Sequence, residues 1–225
     1  MPTSLGAFFL QASSLRFPLR SLCLCGEFAP GARSPVTRQE KYSDPNPVVR
    51  FVLGRFFRRL RTVLAELNPR SVLDAGCGEG EMLRRGVLPA AVAPVCLDLR
   101  PASLAEITAP HRVCASVLSL PFAARSFDAV TCLEVLEHLD DPAAAVRELA
   151  RVARRAVVVS VPFEPYFRIG NVLRGKHLAG LGNHPEHVQH WNLRTFHAFL
   201  SGSVAEVRIV EAFPWIIACC RPNQL

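Results

Sequence analysis

One stretch constrains the fold of this chain more than any other: Val72-Leu73-Asp74-Ala75-Gly76-Cys77-Gly78-Glu79-Gly80. An apolar run ends in an acid and passes directly into three glycines at alternate positions. Glycine lets the backbone turn tightly and leaves no Cβ in the way of a close approach. The pattern from Glu81 onward starts a helix, whose first N–H groups have no partner within it. A buried strand that enters a helix through such a turn is the opening unit of a sheet with crossover helices.

The rest of the chain repeats that alternation. Strands are predicted over 72–75, 92–99, 113–117, 127–133, 156–161, 204–210 and 215–219. Helices are predicted from Glu81 to Arg85, Pro101 to Thr108, Asp141 to about Val152 and Leu193 to Leu200, with Asp141 and Asn192 as N-caps and Pro142 in the first turn. This predicts an α/β fold, a mostly parallel seven-stranded sheet with helices on both faces. Pro47 precedes a further helix. Val48, Phe51, Val52, Phe56, Leu60, Val63, Leu64 and Leu67 recur at helical spacing, with Arg50, Arg55, Arg58, Arg59 and Arg61 between them. That helix either lies on the sheet or, as a basic amphipathic helix, also touches anionic lipid through 48–61.

A chain of 225 residues suits one α/β domain, over 41–225, with a short extension over 1–40. Residues 1–26 contain no acid and several Ser and Leu, with Arg16 and Arg20, as organelle transit peptides do; a misplaced start codon would give the same composition. The extension is expected to be poorly ordered. No apolar run reaches the ~18 residues of a membrane span. Eight cysteines stand scattered without a Cys-x-x-Cys pair, as reduced thiols of a cytoplasmic protein would. A genuine targeting segment would instead place the chain in an organelle or at a membrane. The net charge of +7 is confined to residues 1–70, which hold 11 Lys/Arg and 4 Asp/Glu; the remainder holds 15 of each. That distribution gives no strong nucleic-acid signal.

The glycine turn alone fits any nucleotide site. A dinucleotide site places its third glycine where this chain has Glu81. Asp74, Glu79 and Glu81 repel a pyrophosphate and suit a ligand carrying an ammonium and a sulfonium. Asp98, Leu120-Pro121-Phe122, Phe127-Asp128 and Glu134-Val135-Leu136-Glu137-His138-Leu139 follow in order. With the loop they resemble the class I S-adenosylmethionine-dependent methyltransferases, over about residues 41–215.

The resemblance implies a Rossmann-like sheet with an antiparallel last strand and S-adenosylmethionine as cofactor. It implies Gly76, Cys77, Gly78 and Gly80 along the methionine part, Asp74 near its amine and Asp98 on the ribose hydroxyls. It implies Leu99 and Ser116 about the adenine and Leu133 on the other side of the cofactor. Ser116 stands where the family often has Asp. The turn at 152–156 lacks the family's usual Pro-Gly-Gly.

Glu134, Glu137 and His138 have the i, i+3, i+4 spacing that shares a helical side. His187 lies four residues before Trp191. The motif resembles the O-methyltransferases of ubiquinone biosynthesis and the small-RNA ribose 2′-O-methyltransferases. In the second group such residues bind a divalent metal. His138, Glu137 and His187 are therefore the catalytic candidates, and Glu134, Glu137, His138 and His187 a possible metal set, with a structural role for the pair as the alternative. The lid is predicted over 163–190, where Phe163, Tyr166 and Phe167 suit an aromatic or lipid-like acceptor. The leading expectation is methyl transfer to an oxygen of a small-molecule or lipid-linked acceptor. An RNA ribose methyltransferase is an alternative. So is a non-catalytic protein on the same fold, whose signature would be erosion of Asp74, the glycines or Asp98. The oligomeric state is not legible.

Overall fold

The computed structural model describes residues 22–23, 42, 44–173 and 187–223. The extension expected over 1–40, apart from 22–23, and the lid residues 174–186 lie outside the described residues.

The elements run β1 (Leu22–Cys23), α1 (Pro47–Leu67), β2 (Val72–Ala75), α2 (Glu81–Arg84), β3 (Val95–Asp98), α3 (Pro101–Ala105), β4 (His111–Cys114), β5 (Phe127–Leu133), a 3₁₀ turn (Leu136–His138), α4 (Pro142–Val152), β6 (Ala153–Pro162), α5 (Tyr166–Leu173), α6 (Leu193–Ser201), β7 (Glu206–Ala212) and β8 (Trp215–Arg221). The strand order is β1-β4-β3-β2-β5-β6-β8-β7. β1 to β6 pair in parallel; β8 is antiparallel to both β6 and β7. The seven predicted strands form the expected sheet, and β1 adds a two-residue strand beside β4.

Local chemistry accounts for the helix starts. Asn46 accepts the Val48 N–H at 2.9 Å, with Pro47 behind it. Asp141 accepts the Ala144 N–H at 2.9 Å. Asn192 and Thr195 cap each other reciprocally at α6. The Leu120-Pro121-Phe122 turn is held by α4. Glu148 accepts the Leu120 N–H at 2.8 Å, and Arg151 donates to the Leu120 and Phe122 carbonyls at 3.0 and 2.7 Å.

The structure moves some boundaries. β3 begins at Val95, because Pro94 has no N–H to give to a ladder. β4 begins at His111, set by its register with β3. The turn expected over 152–156 is absent: α4 ends at Val152 and β6 starts at Ala153, and a shift in register beside Phe127 takes up the slack. On α1 the buried stripe is Val49, Leu53, Phe56, Phe57, Leu60, Val63 and Leu64. Val48 and Phe51, predicted on that stripe, lie on the opposite side and are exposed.

The core has two main layers. One packs α4 and α6 on the sheet, around Leu136, Leu149, Phe196 and Leu200. The other packs α1 on the sheet's other face, around Phe56, Leu60, Trp215 and Ile217. Because the chain leaves β2 toward β3 on one side and β5 lies on the other, a crevice opens at the carboxyl ends of these strands, where open α/β sheets bind ligands.

Candidate active site

The glycine loop sits at the end of β2 and is fastened to β3. The N–H groups of Gly76 and Cys77 both donate to the Leu97 carbonyl, at 2.7 and 2.9 Å. Gly76, Gly78 and Gly80 all have positive φ, at 75°, 54° and 77°. A Cβ on Gly76 would stand 2.5 Å from Cγ2 of Val135, whereas a Cβ on Gly78 would meet nothing within 4 Å. Gly76 is thus required by packing as well as conformation, while Gly78 leaves open space.

Asp98 closes the loop from the neighbouring strand. Its Oδ2 accepts the Gly78 N–H at 2.8 Å and its Oδ1 accepts the Arg100 N–H at 2.9 Å. Leu99 beside it is 48% exposed, an apolar side chain left open on the crevice side of β3. Asp74 is buried, and its Oδ1 accepts the hydroxyl of Thr131 at 2.9 Å. Thr131 is opposite Asp74 in the β2–β5 register. Burial pushes the Asp74 carboxyl up to about 7; the Thr131 hydroxyl pulls it down, and the Asp98 charge adds to the rise. The Cys77 thiol is held far above its ordinary range, first by a hydrogen bond with Cys96 and then by burial and the charges of Asp74 and Asp98.

Ser116 lies two residues beyond β4, with its hydroxyl accepting the Leu118 N–H at 3.2 Å. Leu133 is half-buried and packs partly into the α1 layer.

Beyond β5 the chain enters the predicted acidic motif, and the structure divides it. Glu134 has φ 57°. Its buried carboxylate accepts the Trp215 indole N–H at 2.5 Å and the Ser160 hydroxyl at 3.1 Å. The 3₁₀ turn then presents Glu137 and His138. The end of the predicted lid is tied directly to that turn: the N–H groups of Val188 and Gln189 donate to the Glu137 carbonyl at 2.9 and 3.1 Å, and the Gln189 amide to the Leu139 carbonyl at 3.2 Å. This docking brings the His187 ring to 4.9 Å from His138, centroid to centroid. One ligand atom each from Glu137, His138 and His187 falls within 4.8 Å of the others. The expected four-residue set therefore becomes a trio. Glu134 drops out because its buried carboxylate is committed to Trp215 and Ser160.

Phe167 of α5 forms an aromatic wall beside the trio, 6.0 Å from His187 and 6.0 Å from Trp215. Sequence reasoning missed Thr131, Val135, Ser160, Gln189 and Trp215. Of these, Thr131 alone had a local signal, a hydroxyl inside an otherwise apolar strand.

Residues 73–160 match the methyltransferase domain family. Over those residues this chain is similar to S-adenosylmethionine-dependent methyltransferases, and its sheet has their fold. The ubiquinone biosynthesis O-methyltransferase of Paracidovorax citrulli is 35% identical over 100 residues, 40% of this chain and 42% of that protein. The malonyl-[acyl-carrier protein] O-methyltransferase of Halorhodospira halophila is 33% identical over 135 residues, 56% of this chain and 45% of that one. Each match thus spans less than half of the relative's length. The magnesium protoporphyrin IX methyltransferase of Synechocystis PCC 6803, solved with bound S-adenosylhomocysteine, shares the fold. Its TM-score is 0.57 at 18% identity, over 82% of this chain and 92% of that one.

The open space at Gly78, the Asp98 carboxylate at the end of β3 and the buried acid at the end of β2 have the chemistry that a cationic nucleoside would need there. Among the described residues, no helix of the domain is long and apolar enough to cross a membrane.

Proposed function

We propose that this chain transfers the methyl group of S-adenosylmethionine to an oxygen of a small or lipid-linked amphiphilic acceptor. The observation that supports the reading is the Glu137–His138–His187 cluster, two members on the 3₁₀ turn that follows Val135 and the third beside Phe167. Gly76 packs on Val135, the residue just before the 3₁₀ turn that carries Glu137 and His138. The relatives named for O-methylation support oxygen as the accepting atom.

The chemistry asks for alignment and a proton acceptor. An acceptor oxygen attacks the methyl carbon, the carbon–sulfur bond breaks, and its electron pair stays on sulfur. The acceptor's proton passes to the His138 imidazole. His138 Nε2 lies 4.0 Å from Glu137 Oε1, so the imidazolium that forms is stabilised by a buried carboxylate. Phe167 offers an apolar face to the acceptor's ring or chain.

The trio also has the chemistry of a divalent metal site: one carboxylate and two imidazoles, a donor set that favours Mn²⁺, Fe²⁺ or Zn²⁺. Such an ion would polarise an acceptor hydroxyl. Glu137, His138 and His187 would hold it.

The test is methyl transfer from labelled S-adenosylmethionine to catechol-type and polyprenyl-phenol acceptors. His138→Ala should lower kcat by about 10²-fold or more while S-adenosylhomocysteine still binds. Full activity of that variant would overturn the assignment of the base. Equilibrium dialysis with Mn²⁺ reads the metal separately: binding by the native chain that His187→Ala abolishes supports the ion, and no binding removes it.

A further inference from the structure

Two helices that both touch Trp215 leave apolar side chains exposed to solvent. Trp215 packs against Phe56 of α1 at 5.3 Å and against Phe167 of α5 at 6.0 Å. On α5, Tyr166, Ile169 and Val172 are exposed at spacings of three, so they share a stripe. Phe213, between β7 and β8, extends that stripe, its ring 5.5 Å from Tyr166. On α1, Val48 and Phe51 are 66% and 62% exposed, on the side opposite the buried stripe.

The same outward side of α1 is basic. Arg55 and Arg58 follow Val48 and Phe51 at helical spacing, and Arg50 and Arg59 flank them; all four are exposed. No acidic residue occurs between Pro47 and Ala65. Among the described residues, none of these four arginines makes an ion pair, in contrast to Arg208 with Glu66 or Arg154 with Asp128.

We infer that this face docks on an anionic phospholipid bilayer, Phe51 and the Tyr166–Ile169–Val172–Phe213 stripe entering the headgroup region while Arg55 and Arg58 engage lipid phosphates. Two features select a bilayer. The arginines are interleaved with exposed apolar side chains, which a nucleic-acid backbone would not need. The charge excess lies at and ahead of α1, with the rest of the domain balanced, as suits one-sided contact with a charged surface. The inference deepens the proposed function, since α5 supplies both the aromatic wall of the site and the docking stripe: an amphiphilic acceptor would pass from the bilayer to Phe167 and the trio. Docking itself does not depend on methyl transfer.

The test is sedimentation of the full chain with vesicles of phosphatidylcholine alone, or of equal parts phosphatidylcholine and phosphatidylglycerol. The native chain should bind the mixed vesicles, release them in high salt and ignore phosphatidylcholine. Each arginine near an anionic surface contributes about fivefold, so Arg55→Glu with Arg58→Glu should weaken binding at least about 25-fold. Phe51→Ser should weaken it as well. Calorimetry with S-adenosylhomocysteine should give native affinity for these variants, which shows that they are folded. Equal binding to both vesicles, no binding to either, or unchanged binding by the folded double variant overturns the inference. So does a native dimer, by sedimentation velocity, that Phe51→Ser dissociates, because a second copy would then own the face. A native chain that binds mixed vesicles yet methylates no acceptor sinks the proposed function and leaves docking standing.

Discussion

The indole N–H of Trp215 donates to the carboxylate of Glu134 at 2.5 Å, across 81 residues of sequence. This bond, with the Ser160 hydroxyl on the other oxygen, fixes the left-handed residue from which the 3₁₀ turn departs. Glu134 is therefore a positioning residue for Glu137 and His138. Glu134→Ala leaves a buried indole N–H and a buried hydroxyl unsatisfied, at about 1–3 kcal/mol for each such group. Glu134→Gln keeps an acceptor and should recover part of that stability. Thermal unfolding should rank native above Gln above Ala, and Trp215 fluorescence should change in the Ala variant while Asp98-dependent cofactor binding persists. Equal melting of Ala and Gln variants would remove this role.

Gly76 and Gly78 differ in what surrounds them, so their alanine variants should differ. Both carry the strain of a left-handed L-residue, about 1–2 kcal/mol. Gly76→Ala also drives its Cβ into Val135, adding about 1–3 kcal/mol of overpacking. Denaturant unfolding should show Gly76→Ala clearly less stable than Gly78→Ala. Both should bind S-adenosylhomocysteine more weakly, Gly78→Ala because its methyl occupies the open space of the proposed cofactor site. Equal stability of the two variants would mean that the loop and Val135 are not in contact in solution.

What could be read from the sequence is what is written locally. The glycine loop, the caps at Asp141 and Asn192 and the apolar strands each depend on residues a few positions apart; the loop and caps lie where the pattern placed them, and the strands within a few residues of it. The antiparallel pair at the end followed from resemblance alone. Glu134 was grouped with Glu137 and His138 because spacing suggests a shared side. Its real partner comes from β8, and a residue in left-handed conformation breaks the periodicity on which that grouping relied. Val48 and Phe51 were assigned to the buried side of α1 because they are apolar; the wider stripe centred on Leu53 and Leu60 takes that side instead. The approach of His187 to His138 rests on backbone bonds from Val188 and Gln189, which no side-chain pattern announces.

Asp98 holds the Gly78 and Arg100 N–H groups, and the proposed function also sets it against the cofactor. Asp98→Ala frees two N–H groups and removes a charged acceptor. Hydrogen bonds to charged groups are worth about 1.5–3 kcal/mol, so S-adenosylhomocysteine should bind at least about tenfold more weakly. Stability should fall by about 1–2 kcal/mol, since the N–H groups gain water in the half-open loop. Calorimetry and thermal unfolding check the two effects separately. Native affinity in a folded variant would dissociate Asp98 from the cofactor.

Asp74 makes the site sensitive to pH. Burial pushes its carboxyl in the folded chain up to about 7, from an ordinary value of 3.8. Between these values the folded chain holds a proton that the unfolded chain has lost. The contribution to stability is thus complete below the lower value and declines as pH rises through the upper one, by about 1.4 kcal/mol per pH unit between them. Asp74→Asn removes the charge without changing the shape, so the variant should gain on the native chain as pH rises from 4 to 8, by a few kcal/mol at most. Cofactor binding runs the other way. A cationic amine near Asp74 favours the carboxylate, so binding below pH 7 should release a proton, and affinity should rise up to about pH 7. Calorimetry in buffers of different ionisation enthalpy measures that proton, and it should vanish in Asp74→Asn. A release at pH 6 that persists in the variant would assign the titration to another group.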